Sequence, residues 1–248
     1  MTGAGSTNDV TRIKRTFRHP SIEPSLVILD PELCITTPLR TWLGSGFRAV
    51  DHYVEAIYSL KSTPEGDESA KKGLQLLLTS LLDAKEDRTG EKGIQARLKS
   101  QLGVIESMRA ARQGVPMGAS HGIGHQLGAR GVAHGETSCI MLPAVLEFNA
   151  PVNRDKQQKA LDVVWSEGRV AKLLEEKGLK RSDCTLSAAI DVFVRALGLP
   201  RSLKEVGLNG KDIVAQLAEA ALTDAACKSN PIPLEKPEQV TRILNMVY

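Results

Sequence analysis

Residues 37–58 read Thr37-Pro38-Leu39-Arg40-Thr41-Trp42-Leu43-Gly44-Ser45-Gly46-Phe47-Arg48-Ala49-Val50-Asp51-His52-Tyr53-Val54-Glu55-Ala56-Ile57-Tyr58. Apolar side chains at Leu39, Leu43, Phe47, Val50, Val54 and Ile57 recur every three or four positions, the period of a helix with one buried face. Thr37 is suited to an N-cap, and Pro38 to the first helical position, where its missing N–H costs nothing. Downstream the same period continues. It predicts helices over about 66–86 and 91–113, and then near 137–148, 154–166, 168–177, 183–197, 210–222 and 236–247. Between them lies the glycine-rich stretch 114–135. Upstream, Ser25-Leu26-Val27-Ile28-Leu29 before Asp30-Pro31 reads as one short buried strand and a turn. The fold class is all-α: a leader over 1–24 and one helical domain over 25–248, with about 35 non-helical residues at the start. An aromatic content of 4% among abundant Leu, Ala, Lys and Glu agrees with helices rather than sheets.

Bulk properties exclude several classes. The net charge of +3 is small, and no Lys/Arg block is interleaved with aromatics, so nucleic acid is not an expected partner. No apolar run approaches the roughly 20 residues that cross a bilayer, which argues against a membrane partner. The polar first 25 residues lack a signal-peptide apolar region, giving a cytoplasmic expectation. Cys34, Cys139, Cys184 and Cys227 form no CxxC pair and read as reduced thiols.

Three of the five histidines fall within Ser120-His121-Gly122-Ile123-Gly124-His125 and the following His134. On a helix, His121 and His125 share a face at i and i+4, an arrangement able to hold a metal or a polar substrate. Hydrogen-bonded core histidines give the same spacing. Glycine costs roughly 1 kcal/mol per helical position relative to alanine, so the glycine density favours tight packing or a ligand pressed against backbone. His52 adds a fourth imidazole from the first long helix.

Several motifs then stand in order. Asp30-Pro31-Glu32-Leu33, Pro38, Gly46, His52 and Glu55-Ala56 come first. His121-x-x-x-His125-x-x-Gly128, His134-Gly135, Leu142-Pro143 and Asn149 follow, and Leu197-Gly198-Leu199-Pro200, Asn230-Pro231-Ile232-Pro233 and Ile243-Leu244 close the series. From about residue 24 onward the chain resembles the helical, dehydroquinate synthase-like C-terminal domain of iron-containing alcohol dehydrogenases, with features of the maleylacetate reductase branch. The resemblance implies a metal-binding set of one aspartate and three histidines. The histidines fall on His52, His121 and His134, and the aspartate on Arg48, which has no lone pair to offer a cation. It implies for His125 a proton-transfer role near the reacting centre; Ser120 and Tyr53 are nearby hydroxyls that either position substrate or pack in the interior. Asp51, about 100° around the helix from His52, reaches such a site only if the helix distorts. Arg48 either binds an enolate or carboxylate oxygen in place of the metal or pairs with Asp51 or Glu55.

The resemblance also implies a nucleotide-binding domain that these residues do not supply. Gly3-Ala4-Gly5-Ser6 follows no expected strand, so no NAD(P) site is expected in this chain, and the leader 1–24 resembles the closing hairpin of that missing domain. The leading functional expectation is a non-redox acid/base enzyme, an isomerase, dehydratase or cyclase acting on a carbonyl-containing small molecule. In it His125, Arg48, His52, His121 and His134 are catalytic and no cofactor is needed, with iron or zinc at His52, His121 and His134 as the metal option. One alternative is an NAD(P)-dependent alcohol dehydrogenase or carbonyl reductase whose nucleotide domain is truncated or comes from a separate chain. A second is a non-catalytic dimerisation partner. A homo-oligomer is expected in any case, to cover an apolar face.

Overall fold

In a computed structural model of the protein, the described residues are 3–7, 14–22, 24–112 and 114–248. Two short strands, β1 (Gly3–Thr7) and β2 (Lys14–Arg18), pair antiparallel with Gly3 opposite Arg18. Among the described residues ten α-helices follow: α1 (Leu39–Tyr58), α2 (Pro64–Glu86), α3 (Glu91–Arg112), α4 (Ala119–Gly128), α5 (His134–Ser166), α6 (Gly168–Glu176), α7 (Leu186–Leu197), α8 (Ile213–Ala221), α9 (Ala225–Lys228) and α10 (Pro237–Asn245). The helical class holds, and the leader carries this antiparallel strand pair. Gly3–Ser6 lies inside β1.

The expected buried strand at 25–29 is not one. Those residues form no regular element, and Leu26, Val27 and Ile28 are 75%, 64% and 79% exposed. An apolar run predicts burial only where a neighbouring strand or helix covers it, and among the described residues none does so.

α1 is the central element, packed against α2 and α5. Its buried face, Phe47, Val50, Tyr53, Val54 and Ile57, meets Leu74, Leu77, Leu78 and Leu81 of α2 and the Ile140–Leu146 turn of α5. Ile190, Phe193 and Val194 of α7 and Val240, Ile243 and Leu244 of α10 extend the same core. The helix starts follow local chemistry. Thr63 caps α2 by accepting the Gly66 N–H, with Pro64 at its first position; Thr185 caps α7 through Ala188 N; and Gly198, at φ 75°, ends α7 in the left-handed region that favours glycine. Thr37 does not cap α1, which begins at Leu39 with Pro38 in the cap position and no side-chain bond. Its own hydroxyl is one residue too far back to reach the first free N–H groups.

The two helices expected at 137–148 and 154–166 are one, α5, bent where Asn153 leaves helical geometry (φ −142°, ψ 25°). Pro151 cannot donate to the preceding turn, and the kink follows from that loss. Gln157 Nε2 braces the bend by donating to Leu146 O (2.9 Å) and to Asn153 Oδ1 (2.9 Å), while Asn153 Nδ2 ties it to Tyr58 O of α1 (3.1 Å). Pro143 removes a second bond. The carbonyl it leaves free, that of Cys139, accepts from buried Arg201 Nη1 at 2.8 Å, and Ile140 O accepts from the same nitrogen at 2.7 Å. This keeps the first turns of α5, which carry the site, straight. Among the described residues no helix is long and apolar enough to cross a membrane, and the four cysteines form no disulfide.

Candidate active site

The α1–α4–α5 junction gathers the expected residues. Glycines allow the close approach: a Cβ on Gly135 would overlap the Gly44 backbone, and one on Gly124 would stand 3.0 Å from Thr137 Oγ1 and 3.6 Å from Arg48 Nη1. Four imidazoles line up along the opening. His52 and His121 rings stand 4.3 Å apart edge to face, His121 and His125 6.4 Å apart, and His125 stacks parallel to His134 at 6.4 Å. His134 is exposed, His52 and His125 are half-buried, and His121 is buried.

Glu55 is the buried anchor. Its Oε1 accepts from Ser120 N (3.0 Å) and Tyr58 OH (2.9 Å), and its Oε2 from Gly118 N (2.7 Å), so one carboxyl group of α1 satisfies the first free N–H groups of α4. Asn230 Oδ1 takes Ala119 N (3.1 Å) and exchanges side-chain hydrogen bonds with Asn149. Asp51 Oδ2 accepts from Ser120 Oγ (2.9 Å) and Ser138 Oγ (2.5 Å), and Ser138 Oγ in turn accepts from Arg48 Nη1 (2.9 Å). Thr137 Oγ1 stands 3.3 Å from the same nitrogen.

Several sequence expectations change accordingly. Ser120 is fully buried and holds Asp51 and Glu55, not substrate. Tyr53 is also fully buried; its hydroxyl donates to Gly103 O of α3, on the side of α1 away from the histidines. Thr137 and Ser138, within α5, both accept from Arg48 Nη1. Arg48 is buried and reaches Asp51 through the Ser138 hydroxyl; it makes neither a direct ion pair nor a contact in the open cleft. Asp51 needs no helix distortion, since its Oδ2 is 3.3 Å from His121 Nδ1. Asp224 was missed altogether. It caps α9 by accepting Ala226 N (2.9 Å), and its other oxygen lies 2.8 Å from His125 Nδ1. Its one signal in the sequence was Thr223-Asp224-Ala225-Ala226, a cap before a short helix, which says nothing of a histidine a hundred positions earlier.

Burial sets the electrostatics. Desolvation, then the charge of Arg48, pushes His52 down to about 4, and the same two causes hold His121 well below the usual histidine value. Desolvation, then the charge of Asp51, pushes Glu55 up to about 8, against three hydrogen bonds that favour its ionised form. Asp51 is raised to about 6 by burial, with Arg48 opposing. Burial also raises Cys139 well above the usual thiol value, consistent with no chemical role.

The model of the Fe-containing alcohol dehydrogenase family, C-terminal, matches residues 43–248. Dehydrogenases of Alternaria alternata and of Gibberella moniliformis are 39% and 40% identical over 97% and 98% of this chain, which spans 66% and 60% of their lengths. A crystal structure of maleylacetate reductase from Rhizobium sp. strain MTP-10005 superposes with TM-score 0.78 at 23% identity, over 100% of this chain and 63% of that one.

The family is named for iron, and the structure brings together a donor set other than the expected one. The expected trio does not converge, since His134 stacks on His125 while His52 and His121 meet each other, Nε2 to Nε2, at 3.2 Å. Arg48 occupies the carboxylate position with a fixed positive charge. At about 4 Å and an effective dielectric of about 20, two unit charges interact by ~4 kcal/mol, and a dication doubles the repulsion. Asp51, Glu55 and His121 do bring donor atoms within 4.8 Å of one another. Three of the hydrogen bonds just described already engage Asp51 Oδ2 and Glu55 Oε2, while Asp51 Oδ1 and His121 Nδ1 are buried without a hydrogen-bond partner. With the fold, the ordered motifs and the matched residues in agreement, this chain belongs to the iron-containing alcohol dehydrogenase family and corresponds to its C-terminal helical part.

Proposed function

We propose that the chain is the substrate-side half of an NAD(P)-dependent alcohol dehydrogenase or carbonyl reductase. The carrying observation is the His125–Asp224 pair at the open end of the imidazole row, in a chain about 40% identical to dehydrogenases. The leading expectation of an isomerase, dehydratase or cyclase has no support among these relatives and gives way to the redox alternative.

In this reading the nicotinamide comes from sequence outside these 248 residues, and a bound dinucleotide supplies or accepts the hydride. The chain's own residues manage the proton. Asp224 accepts from His125 Nδ1, which turns Nε2 toward the opening, where it donates to a carbonyl oxygen on reduction or accepts from a hydroxyl on oxidation. His134, stacked on His125, walls that opening. His52 and His121 stay neutral at pH 7 and act as hydrogen-bonding wall rather than as acids.

The test uses the full-length protein containing this chain, with NADH or NADPH and a panel of aldehydes and keto acids, followed by nucleotide absorbance. Nucleotide-dependent turnover is expected, and His125→Asn lowers kcat by about 10²-fold or more. Turnover of a carbonyl substrate without nucleotide would return the non-redox reading.

A further inference from the structure

We propose that Cys34 is a site of oxidation by hydroperoxides, with Arg97, Trp42 and Gln101 gathered around the sulfur to hold the resulting sulfenic acid. The site lies apart from the imidazole row and does not depend on the reading of that row. It rests on polar atoms buried beside the thiol without partners.

Cys34 is half-buried in the short 3-10 helix Leu33–Thr36 that leads into α1. Gln101 of α3 donates from Nε2 to Asp30 O at 3.3 Å and to Cys34 Sγ at 3.2 Å. A carbonyl only accepts, so Asp30 O fixes which end of the amide faces this turn. The Cys34 sulfur therefore accepts an N–H. Cys139 and Cys184 do the reverse: their thiols donate to Gly135 O at 3.4 Å and to Thr185 O at 3.3 Å, which engages the proton. Cys227 is fully buried.

Arg97 stands one turn before Gln101 on α3 and is only 1% exposed, yet its guanidinium makes a single hydrogen bond, from Nη1 to Gly93 O at 3.0 Å. Burial lowers it from the usual arginine value, and the groups that oppose this are the Cys34 sulfur first and Asp87 second. Both Asp87 oxygens already accept backbone N–H groups, of Thr89, Gly90 and Gly93. The Arg97 Cζ lies 5.6 Å from the centre of the Trp42 ring, which closes the cluster from α1. Three of its atoms are buried without a partner: Arg97 Nε and Trp42 Nε1, which donate, and Gln101 Oε1, which accepts. Buried polar atoms are normally satisfied, so this set points to a missing group with both functions. A sulfenic acid on Cys34 has that complement, with oxygen lone pairs for the two donors and an O–H for the acceptor. In the reaction the thiol gives its proton to solvent, and the sulfur attacks the terminal oxygen of the hydroperoxide. An S–O bond forms as the O–O bond breaks, and the departing alkoxide or hydroxide takes up a proton. The sulfur loses two electrons and the peroxide gains them, leaving a sulfenic acid and an alcohol or water.

The full-length protein containing this chain is to be treated with hydrogen peroxide, trapped at intervals with a 1,3-dione that adds to sulfenic acids, and digested for peptide mass spectrometry. The adduct is expected at Cys34 well before Cys139, Cys184 or Cys227. Arg97→Met, with its fold checked by circular dichroism, is expected to lower the rate of Cys34 labelling by about tenfold. Where that variant fails to fold, Trp42→Phe keeps the ring and removes only the N–H, and is expected to lower the yield of trapped sulfenic acid at Cys34 by about threefold. An unlabelled Cys34, or labelling of Cys184 at the same rate, overturns the proposal. A folded variant in which Cys34 is labelled as in wild type overturns it too, because the unpartnered donors would then serve no oxygen on the sulfur.

Discussion

At the scale of single residues, the site is organised by side chains that never touch substrate. Asp224 is the clearest case. One carboxylate oxygen caps α9 and the other holds His125 Nδ1, so a single residue couples a helix start to the orientation of the proposed proton donor. Asp224→Asn keeps the volume and a capping oxygen but loses the charge, so the imidazole tautomer is no longer imposed. The expected result is a kcat lower by about tenfold with KM little changed, and a pH profile of kcat/KM displaced relative to wild type; nuclear magnetic resonance of labelled histidine reports the tautomer directly. An unchanged profile with normal Tm would confine Asp224 to its capping role. The imidazole row itself was legible in the sequence, because His121 and His125 sit one turn apart and His52 carries the family spacing. The buried supports were not. Asp224 and Ser138 join the site only through tertiary packing, and Ser120 and Tyr53 have the right chemistry but face inward. Helical spacing says which residues share a face; it does not say which neighbour covers that face.

At the scale of elements, α5 shows what the sequence period reveals and what it conceals. Two prolines and a break in periodicity suggest two helices, yet Arg201 takes over the carbonyl bond that Pro143 leaves, Gln157 and Asn153 brace the bend after Pro151, and the helix continues through it. Arg201→Met tests this substitution of bonds. It strands the Cys139 carbonyl in the interior, removes the second donor to Ile140 O and leaves Asp191 with Arg195 alone, so a loss of about 3 kcal/mol is expected in urea unfolding. A change below 1 kcal/mol would mean that water serves those carbonyls equally well. The contact of α1 with α5 is tested separately by Gly135→Ala, whose methyl group overlaps the Gly44 backbone. Backbone cannot rotate away as a side chain does. A cost of about 2–3 kcal/mol is expected, with the imidazole row displaced. The apolar run at 25–29 teaches the converse: its composition is that of a strand, but strand formation needs a partner edge that the described residues do not provide.

At the scale of the whole molecule, the buried titratable groups make global stability depend on pH in a way that can be signed. His52 and His121 have depressed values in the folded state, so the unfolded chain binds protons that the folded chain refuses. Their contribution is complete above the unfolded histidine value near 6.5 and is lost as pH falls toward 4. Glu55 behaves oppositely. Its folded value of about 8 exceeds the unfolded 4.5, so the folded state holds a proton that the unfolded state has released. That contribution is complete below 4.5 and is lost as pH rises through 8. Asp51, raised to about 6, adds to the same loss only below that pH. Between pH 4.5 and 6.5 the histidine and carboxyl contributions oppose each other, and the curve is nearly flat. Between 6.5 and 8 only Glu55 remains, and stability falls by up to about 1.4 kcal/mol per pH unit. Urea unfolding at pH 6.5, 7.2 and 8 measures that slope. Glu55→Gln, which has no proton to release, lowers absolute stability by disturbing the Gly118 contact but is expected to flatten the slope. If wild type and variant fall in parallel, Glu55 is ionised throughout and its three donors outweigh its burial.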